Sequence, residues 1–521
     1  MTTRIGDPAV YRSMQTHLAE FAAVSPHASF WIGLIDKLQE DPALPDDEWI
    51  IPDVSAEPLG NWIANISERR PTVSITRSAG NFVVMHDTRN KEIERLEATL
   101  TSDERLALRV WCRRAARPIE ALDTWPLERF FDANEVAALT TVRPAKTIVH
   151  ASGLSWRPNA DVTYSGYFCA IVKFTRLCNL RCVYCHDWRT GPGQTMAFKT
   201  LVNLYAEILL ESAYSNVDIV WHGGEPTMLG PKQMLKILRL QSWFQLPGQR
   251  VGNNLQTNAC AINQRWARLL RRYGFSVSAS MDGPPEVHDH VRVNSKGGGT
   301  LAAVSRGLAA LRSQHIDPGV IIVLGNELVE LGAEKLYRFL QDFSISSASI
   351  IPVRPDNNLE SKSQTHLMNG TLWYTKFLVE IANIRRKLGP PFVAIREIDT
   401  AIRALSGGMS GFCETLGNCA GAFCSFDPDG TVSHCDKFVG DPDYVVGNIN
   451  QEPLHNILTG PQMVLIRQRA GEVNHLRQCR YFHLCRGWCP HERYIAARTT
   501  TTTPKCCGLA PLYEGLNELN V

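Results

Sequence analysis

From Tyr167 onward the chain alternates six times between short β-branched runs and amphipathic helical stretches. The runs are "FCAIVKF", "VDIVWH", "NNLQTN", "FSVSASMD", "GVIIVLG" and "ASIIPV"; between them lie "FKTLVNLYAEILLESA", "PKQMLKILRLQ", "NQRWARLLRRYG", "LAAVSRGLAALRSQ" and "AEKLYRFLQDF". Strand-then-helix repetition of this kind builds a parallel sheet with crossover helices. Six units are too few for a closed eightfold barrel. The expected fold class is therefore α/β, a partial (β/α)6 TIM-like barrel, with its chemistry at the strand C-termini where the loops converge.

Directly after the first run comes "RLCNLRCVYCHDW", which crowds Cys178, Cys182 and Cys185 into eight residues. The N-terminal "MTTRIGDPAVYRSMQTHLAEF" lacks the basic patch and apolar run of a secretion signal, and no stretch reaches the roughly 18 uninterrupted apolar residues of a membrane span. A cytoplasmic protein with no membrane partner is expected. In a reducing compartment clustered cysteines are metal ligands rather than disulfides. Of the 15 cysteines, nine fall between Cys413 and the C-terminus, so a second metal region is expected there. A formal charge of only +2 gives no sign of a nucleic-acid partner.

The spacing of Cys178, Cys182 and Cys185 lets three thiolates converge on one inorganic centre. A four-iron cluster takes four thiolates, so three leave one iron open, which is a catalytic rather than a structural arrangement. On spacing alone, zinc with His186 as fourth ligand and unligated thiols stay open as alternatives.

With Tyr184 immediately before its third cysteine, the motif resembles that of the radical S-adenosylmethionine (SAM) superfamily. The resemblance implies that SAM chelates the open iron of a [4Fe-4S] cluster. Reductive cleavage then gives a 5'-deoxyadenosyl radical that takes a substrate hydrogen atom, and a flavodoxin- or ferredoxin-type donor supplies the electron. "WHGGEP" (Trp221 to Pro226) resembles the motif that binds the SAM amino group, with Gly223 and Gly224 allowing close approach, Glu225 the polar handle and Pro226 ending the turn. "LQTNA" with Gln256, and "SASMDGPPEVHDHVRVNSKGGGT" with Ser280, Asp282 and Arg292, resemble the subgroup that holds the sulfatase-maturating enzymes. By that resemblance Ser280 and Arg292 contact the SAM ribose or carboxylate, and Asp282 lies nearby.

From about residue 405 the chain turns Gly- and Cys-rich, as a small domain organised by metal does. "NCAG", "PDGTVSHCD", "GNI" and "CRYFHLCRGWCP" resemble the SPASM extension, which holds two auxiliary iron-sulfur clusters. That likeness implies Cys413, Cys419, Cys435 and Cys489 for one auxiliary [4Fe-4S] cluster and Cys479, Cys485 and Cys507 for a second. The pattern's further cysteine is here Leu476, so the second cluster is open, recruits Cys506, Cys424 or His475, or is absent. Asp436 aligns with the acid that sulfatase-maturating enzymes are thought to use as a base. Cys112, Cys169 and Cys260 stand apart and read as inert thiols.

The expected domains are an N-terminal accessory unit over 1–155, a barrel over 160–400 and the SPASM-type unit over 405–521. The first unit shows amphipathic patterns over 12–24 and 102–122, a hairpin candidate in "PTVSITRSAGNFVVMHD" and a helix pair in "PLERFFDANEVAAL". Recognition of a leader-bearing precursor peptide by strand addition and a structural role both fit it. The leading function is maturation of a ribosomally made peptide, with an intramolecular crosslink as product. Oxidation of Cys or Ser to formylglycine is the second reading, and an iron-sulfur electron carrier without a SAM pocket the third.

Overall fold

The computed structural model describes residues 2–4, 50–52, 77–78, 81–82, 127–142, 166–185, 194–211, 214–246, 249–353, 372–408, 413–415, 417, 419–499 and 505–519. The helices expected over 12–24 and 102–122, Cys112, His186 and most of the threonine tract at 499–503 lie outside them. The described part of the hairpin candidate is an antiparallel pair, Arg77–Ser78 with Asn81–Phe82.

The residues fall into two units. One takes in Ile262–Phe275 and Ala309–Ile316 with the chain up to Trp125; the other comprises Pro126–Ala261, Ser276–Leu308 and Asp317–Val521 and holds every site residue discussed below. Leu127–Val142, grouped by sequence with the N-terminal third, thus belongs to the second unit. Its helix α1 (Ala133–Val142) starts at a reciprocal capping box, in which Glu135 N–H donates to Asp132 Oδ1 at 2.9 Å and Asp132 N–H to Glu135 Oε2 at 3.0 Å.

All six expected strands form: β1 (Tyr167–Thr175), β2 (Asn216–Gly223), β3 (Arg250–Thr257), β4 (Ser276–Ser280), β5 (Gly319–Leu324) and β6 (Ser347–Pro352). Between them run α2 (Phe198–Tyr205), α3 (Gly230–Phe244), α4 (Gln264–Arg272), α5 (Pro285–Val291), α6 (Leu301–Arg312), α7 (Asn326–Leu331) and α8 (Ala333–Asp342). After β6 come α9 (Leu372–Leu388), β7 (Ala394–Ile395) and α10 (Arg396–Leu405). The strands β1 to β7 pair in sequence order and in parallel. Side chains of β1 are buried almost without a break, as a parallel strand covered on both faces requires. Phe168, Val172, Ile219, Leu255, Ala279, Val320, Ile322 and Ile350 fill the interior.

The sheet does not end at β1. The Cys-rich region contributes β8 (Phe423–Phe426), β9 (Thr431–Ser433) and β10 (Val445–Asn448), and β8 pairs in parallel with β1, Cys169 opposite Phe423 and Val172 opposite Phe426. Among the described residues the order is β7–β6–β5–β4–β3–β2–β1–β8–β9–β10, one ten-stranded sheet. Arg176 at the end of β1 reinforces the join, its Nη2 lying 2.5 Å from Asp427 Oδ1 in the β8–β9 turn. Beyond β10 the chain forms α11 (Leu454–Thr459), α12 (Pro461–Gly471), α13 (Phe482–Cys485), α14 (Pro490–Thr499) and α15 (Ala510–Glu518).

Candidate functional site

The three clustered cysteines sit on the loop that leaves β1 at the C-terminal edge of the sheet. This loop is held as a ladder against the segment after α5: Arg181 N–H donates to Val293 O at 2.7 Å and Val183 N–H to Val291 O at 3.0 Å. That pairing sets Arg292 opposite Cys182. Arg292 Nη1 lies 3.9 Å from Cys182 Sγ, and its guanidinium stands 5.4 Å from the centre of the Tyr184 ring. The same guanidinium makes a two-pronged pair with the fully buried Asp282, at 2.8 and 3.1 Å. Asp282 also accepts from Tyr184 Oη at 2.5 Å and Val323 N–H at 2.8 Å. Behind it, His288 Nδ1 accepts from Asp282 N–H, and burial pushes this imidazole down to about 4. Arg292 was expected at the SAM ribose or carboxylate with Asp282 nearby; in this structure the two charges engage each other and brace the cysteine loop.

Glu225, expected as the polar handle of "WHGGEP", is 1% exposed and its carboxylate takes four protein donors. Thr227 N–H and Oγ1 donate at 3.0 and 2.5 Å, Thr257 Oγ1 at 2.8 Å and Asn258 N–H at 2.7 Å. These donors fill a carboxylate's ordinary capacity, so the side chain ties the turn after β2 to the end of β3. Burial raises the Glu225 carboxyl above its usual range, and the hydrogen bonds oppose it.

The glycines make room for protein rather than only for a ligand. Gly223 has φ +114°, and Gly224 lies so near the cysteine loop that a Cβ would stand 2.3 Å from Leu177 O and 2.7 Å from Arg176 O. Gly224 N–H donates to Thr175 O and Glu225 N–H to Leu177 O, at 2.8 and 2.7 Å. Gly224→Ala must therefore push the loop away. Such a protein is expected to lose most iron from its first cluster while keeping the SPASM iron, a difference that iron analysis and electron paramagnetic resonance (EPR) read directly.

Asn258, within the "LQTNA" stretch, joins the site without having been singled out by the sequence. Its Nδ2 donates to Asn179 Oδ1 at 2.8 Å and lies 3.9 Å from Cys178 Sγ. Cys260 is half-buried, and burial, with smaller contributions from neighbours that include Glu225, Cys182 and Cys178, pushes its thiol up to about 12, so it stands near the loop rather than isolated as expected. Gln256 and Ser280, at the ends of adjacent strands, join through Nε2 to Oγ at 3.3 Å. They leave a polar lip at the sheet's C-terminal edge.

The donor set fits an iron-sulfur cluster: three thiols on one loop, with Arg292, Asn258 Nδ2 and Leu180 N–H directed at their sulfurs. Burial pushes the Cys178 thiol up to about 11 and raises Cys182 as well, so metal loading displaces protons here. Among the described residues no three His, Cys, Asp or Glu side chains are grouped as they would be around a metal ion, and His186, the fourth ligand of the zinc alternative, lies outside those residues.

In the Cys-rich region, burial raises the thiols of Cys435 and Cys419, two of the four expected ligands of the first auxiliary centre; nearby Cys419 and Cys489 add to the first shift and Cys413 to the second. Lys437 Nζ bridges Glu414 at 2.5 Å and Glu492 at 3.3 Å and reaches within 3.9 Å of Cys489 Sγ. Between Cys435 and Lys437, Asp436 turns the other way. Its Oδ1 lies 2.9 Å from Nζ of Lys173, a fully buried β1 side chain, and 4.0 Å from Nδ1 of His222 on β2. Lys173 and His222 are register partners across the two strands. A carboxylate from the Cys-rich region thus meets paired cations or donors from the sheet. Cys169 and Cys424 are both buried at the β1–β8 join, and burial pushes the Cys169 thiol up to about 12.

Comparison with known proteins decides the assignment. The description "Radical SAM superfamily" matches residues 172–340, and "SPASM, iron-sulfur cluster-binding domain" matches 419–490. The chain carries a radical SAM domain and a SPASM domain. Its relatives include the cysteine-type anaerobic sulfatase-maturating enzyme of Clostridium perfringens, 26% identical over 322 residues covering 60% of this chain and 85% of the relative. The serine-type enzyme of Klebsiella aerogenes is 24% identical over 357 residues, 66% of this chain and 85% of the relative. Among solved structures, native anSMEcpe with bound AdoMet superposes with a TM-score of 0.60 at 23% identity, covering 68% of this chain and 98% of that one. The matched domains are those of SAM and iron-sulfur cofactors, and the likeness to the solved structure shows the same partial-barrel fold. Among the described residues no helix is long and apolar enough to cross a membrane.

Proposed function

We propose that this radical SAM enzyme matures a ribosomally made peptide, removing two hydrogens from it to close an intramolecular crosslink. When bound, SAM and the three-thiolate cluster supply a 5'-deoxyadenosyl radical that takes a substrate hydrogen atom, while the SPASM clusters supply an exit for the second electron. The chain's own residues do the rest. Cys178, Cys182 and Cys185 would hold the first cluster. The backbone of Gly223 to Pro226, with the Gln256–Ser280 lip, would seat SAM, and Asp282, Arg292 and Tyr184 fix the loop beneath it. Asp436 would accept the proton that the substrate releases.

The observation that carries this reading is the Asp436–Lys173 ion pair at 2.9 Å. It sets a carboxylate beside Lys173 and within 4.0 Å of His222, register partners near the C-terminal ends of β1 and β2, at the edge that bears the cysteine loop. The first 155 residues, which neither matched domain covers, would bind a leader-bearing precursor. A flavodoxin- or ferredoxin-type protein is the assigned electron donor.

The similarity to cysteine- and serine-type sulfatase-maturating enzymes favours a second reading, oxidation of Cys or Ser to formylglycine. Co-expression with a short peptide encoded beside the enzyme, then mass spectrometry, separates the two. A crosslink appears as loss of two hydrogens with no aldehyde; formylglycine appears as an aldehyde that captures a hydrazide. A peptide recovered unchanged from cells whose enzyme is fully loaded with iron and cleaves SAM would count against the first reading for that peptide.

A further inference from the structure

The second auxiliary centre lacks a ligand where its pattern puts one, because Leu476 occupies that position and is 1% exposed in apolar surroundings. Three other candidates stand in the sequence. Cys424 is a β8 residue with no exposed surface, beside Cys169 at the join to β1. His475 is exposed on a single 3-10 turn. The third is different: the Cys506 thiol is in hydrogen-bonding reach of both Cys479 and Cys507. Cys507 Sγ in turn lies 3.5 Å from Cys485 Sγ.

The surrounding contacts hold this grouping in place. Tyr481, between Cys479 and Cys485, stacks on Tyr513 of α15 at 5.3 Å, and Arg480 pairs with Glu514 at 2.9 Å. Asn517 Nδ2 donates to Tyr481 Oη at 3.4 Å. The loop bearing two cysteines is therefore fastened to the helix that follows the adjacent pair Cys506–Cys507. Gly508 N–H donates to Cys506 Sγ at 3.3 Å, the kind of contact a thiolate ligand takes from backbone.

We propose that Cys506 is the fourth thiolate of the second auxiliary iron-sulfur centre, which Cys479, Cys485, Cys506 and Cys507 close completely. It substitutes from the C-terminal side for the cysteine missing at Leu476. With every metal corner taken by sulfur, the centre has no place for a substrate group; it passes electrons or anchors α15. The inference rests on the SPASM assignment and is independent of which peptide is modified.

The test is metal analysis of the full-length protein purified without oxygen, with acid-labile sulfide, zinc and EPR of the reduced protein. Cys506→Ser is expected to lose about four irons and four sulfides per chain, one cluster's worth, or to keep them with a changed EPR signal from one cluster. Cys424→Ser is expected to match the parent in all of these. Should the serine variant fail to fold, Cys506→His keeps a ligand and is expected to retain iron with a shifted signal. Parental iron, sulfide and EPR in both Cys506 variants would overturn the proposal. So would zinc, rather than iron, leaving with the Cys506 side chain.

Discussion

Asp436→Asn is expected to release 5'-deoxyadenosine much as the parent does while making about a hundred- to ten-thousand-fold less modified peptide, the usual worth of a positioned general base. The amide keeps the size of the side chain and loses its ability to take a proton. Hydrogen-atom removal, which depends on the cysteine loop, is left untouched. The split between the two products is therefore the informative quantity, and both are read from one chromatogram. Equal loss of 5'-deoxyadenosine and peptide product would place Asp436 at substrate binding instead. Lys173 supplies the companion experiment. Its side chain is fully buried and that of Asp436 is 31% exposed, so Asp436→Asn strips a partner from a buried cation whereas Lys173→Met leaves a carboxylate that water reaches. Lys173→Met is expected to depress product formation with the smaller stability loss of the two.

Arg292→Met is the substitution with the largest expected effect on stability. It removes the two-pronged partner of Asp282, which has no exposed surface. Breaking a buried pair from one side costs about 3–5 kcal/mol, and in a unit of this size that lowers the melting temperature by something on the order of 10 °C. The stacked Tyr184 and the sulfur of Cys182 lose the same guanidinium, so cluster content is expected to fall as well. The double variant Arg292→Met with Asp282→Leu separates the two effects. It should regain much of the thermal stability, because no buried charge is left alone, yet hold its first cluster no better. A double variant as unstable as the single one would show that the loss comes from packing rather than from the orphaned carboxylate.

The six strands were legible because β-branched runs at regular spacing leave parallel pairing as the consistent solution, and they pair in order. The cysteine loop was legible because its ligands are close in sequence. What escaped reading depends on partners far apart along the chain. Lys173 sits inside the apolar run "FCAIVKF", where nothing local marks it as the mate of Asp436, 263 positions later. Asn258 and His288 have no feature of their own in the sequence and take their roles from the loops they meet. Glu225 was legible as a residue that matters, but its four donors come from Thr227, Thr257 and Asn258, which spacing could not supply. The pairing of β8 with β1 had no sequence signal either, since a parallel partner needs no turn to announce it.

That pairing has a mechanical meaning. Because β1 carries the cysteine loop at its end and shares its backbone hydrogen bonds with β8, the two metal-bearing parts are not beads on a string that can tilt independently. Distances between their redox centres are set by a continuous lattice of peptide groups, and Arg176 with Asp427 acts as a stay across the seam. A fault on either side of the seam is therefore transmitted to the other as strain in a shared strand pair.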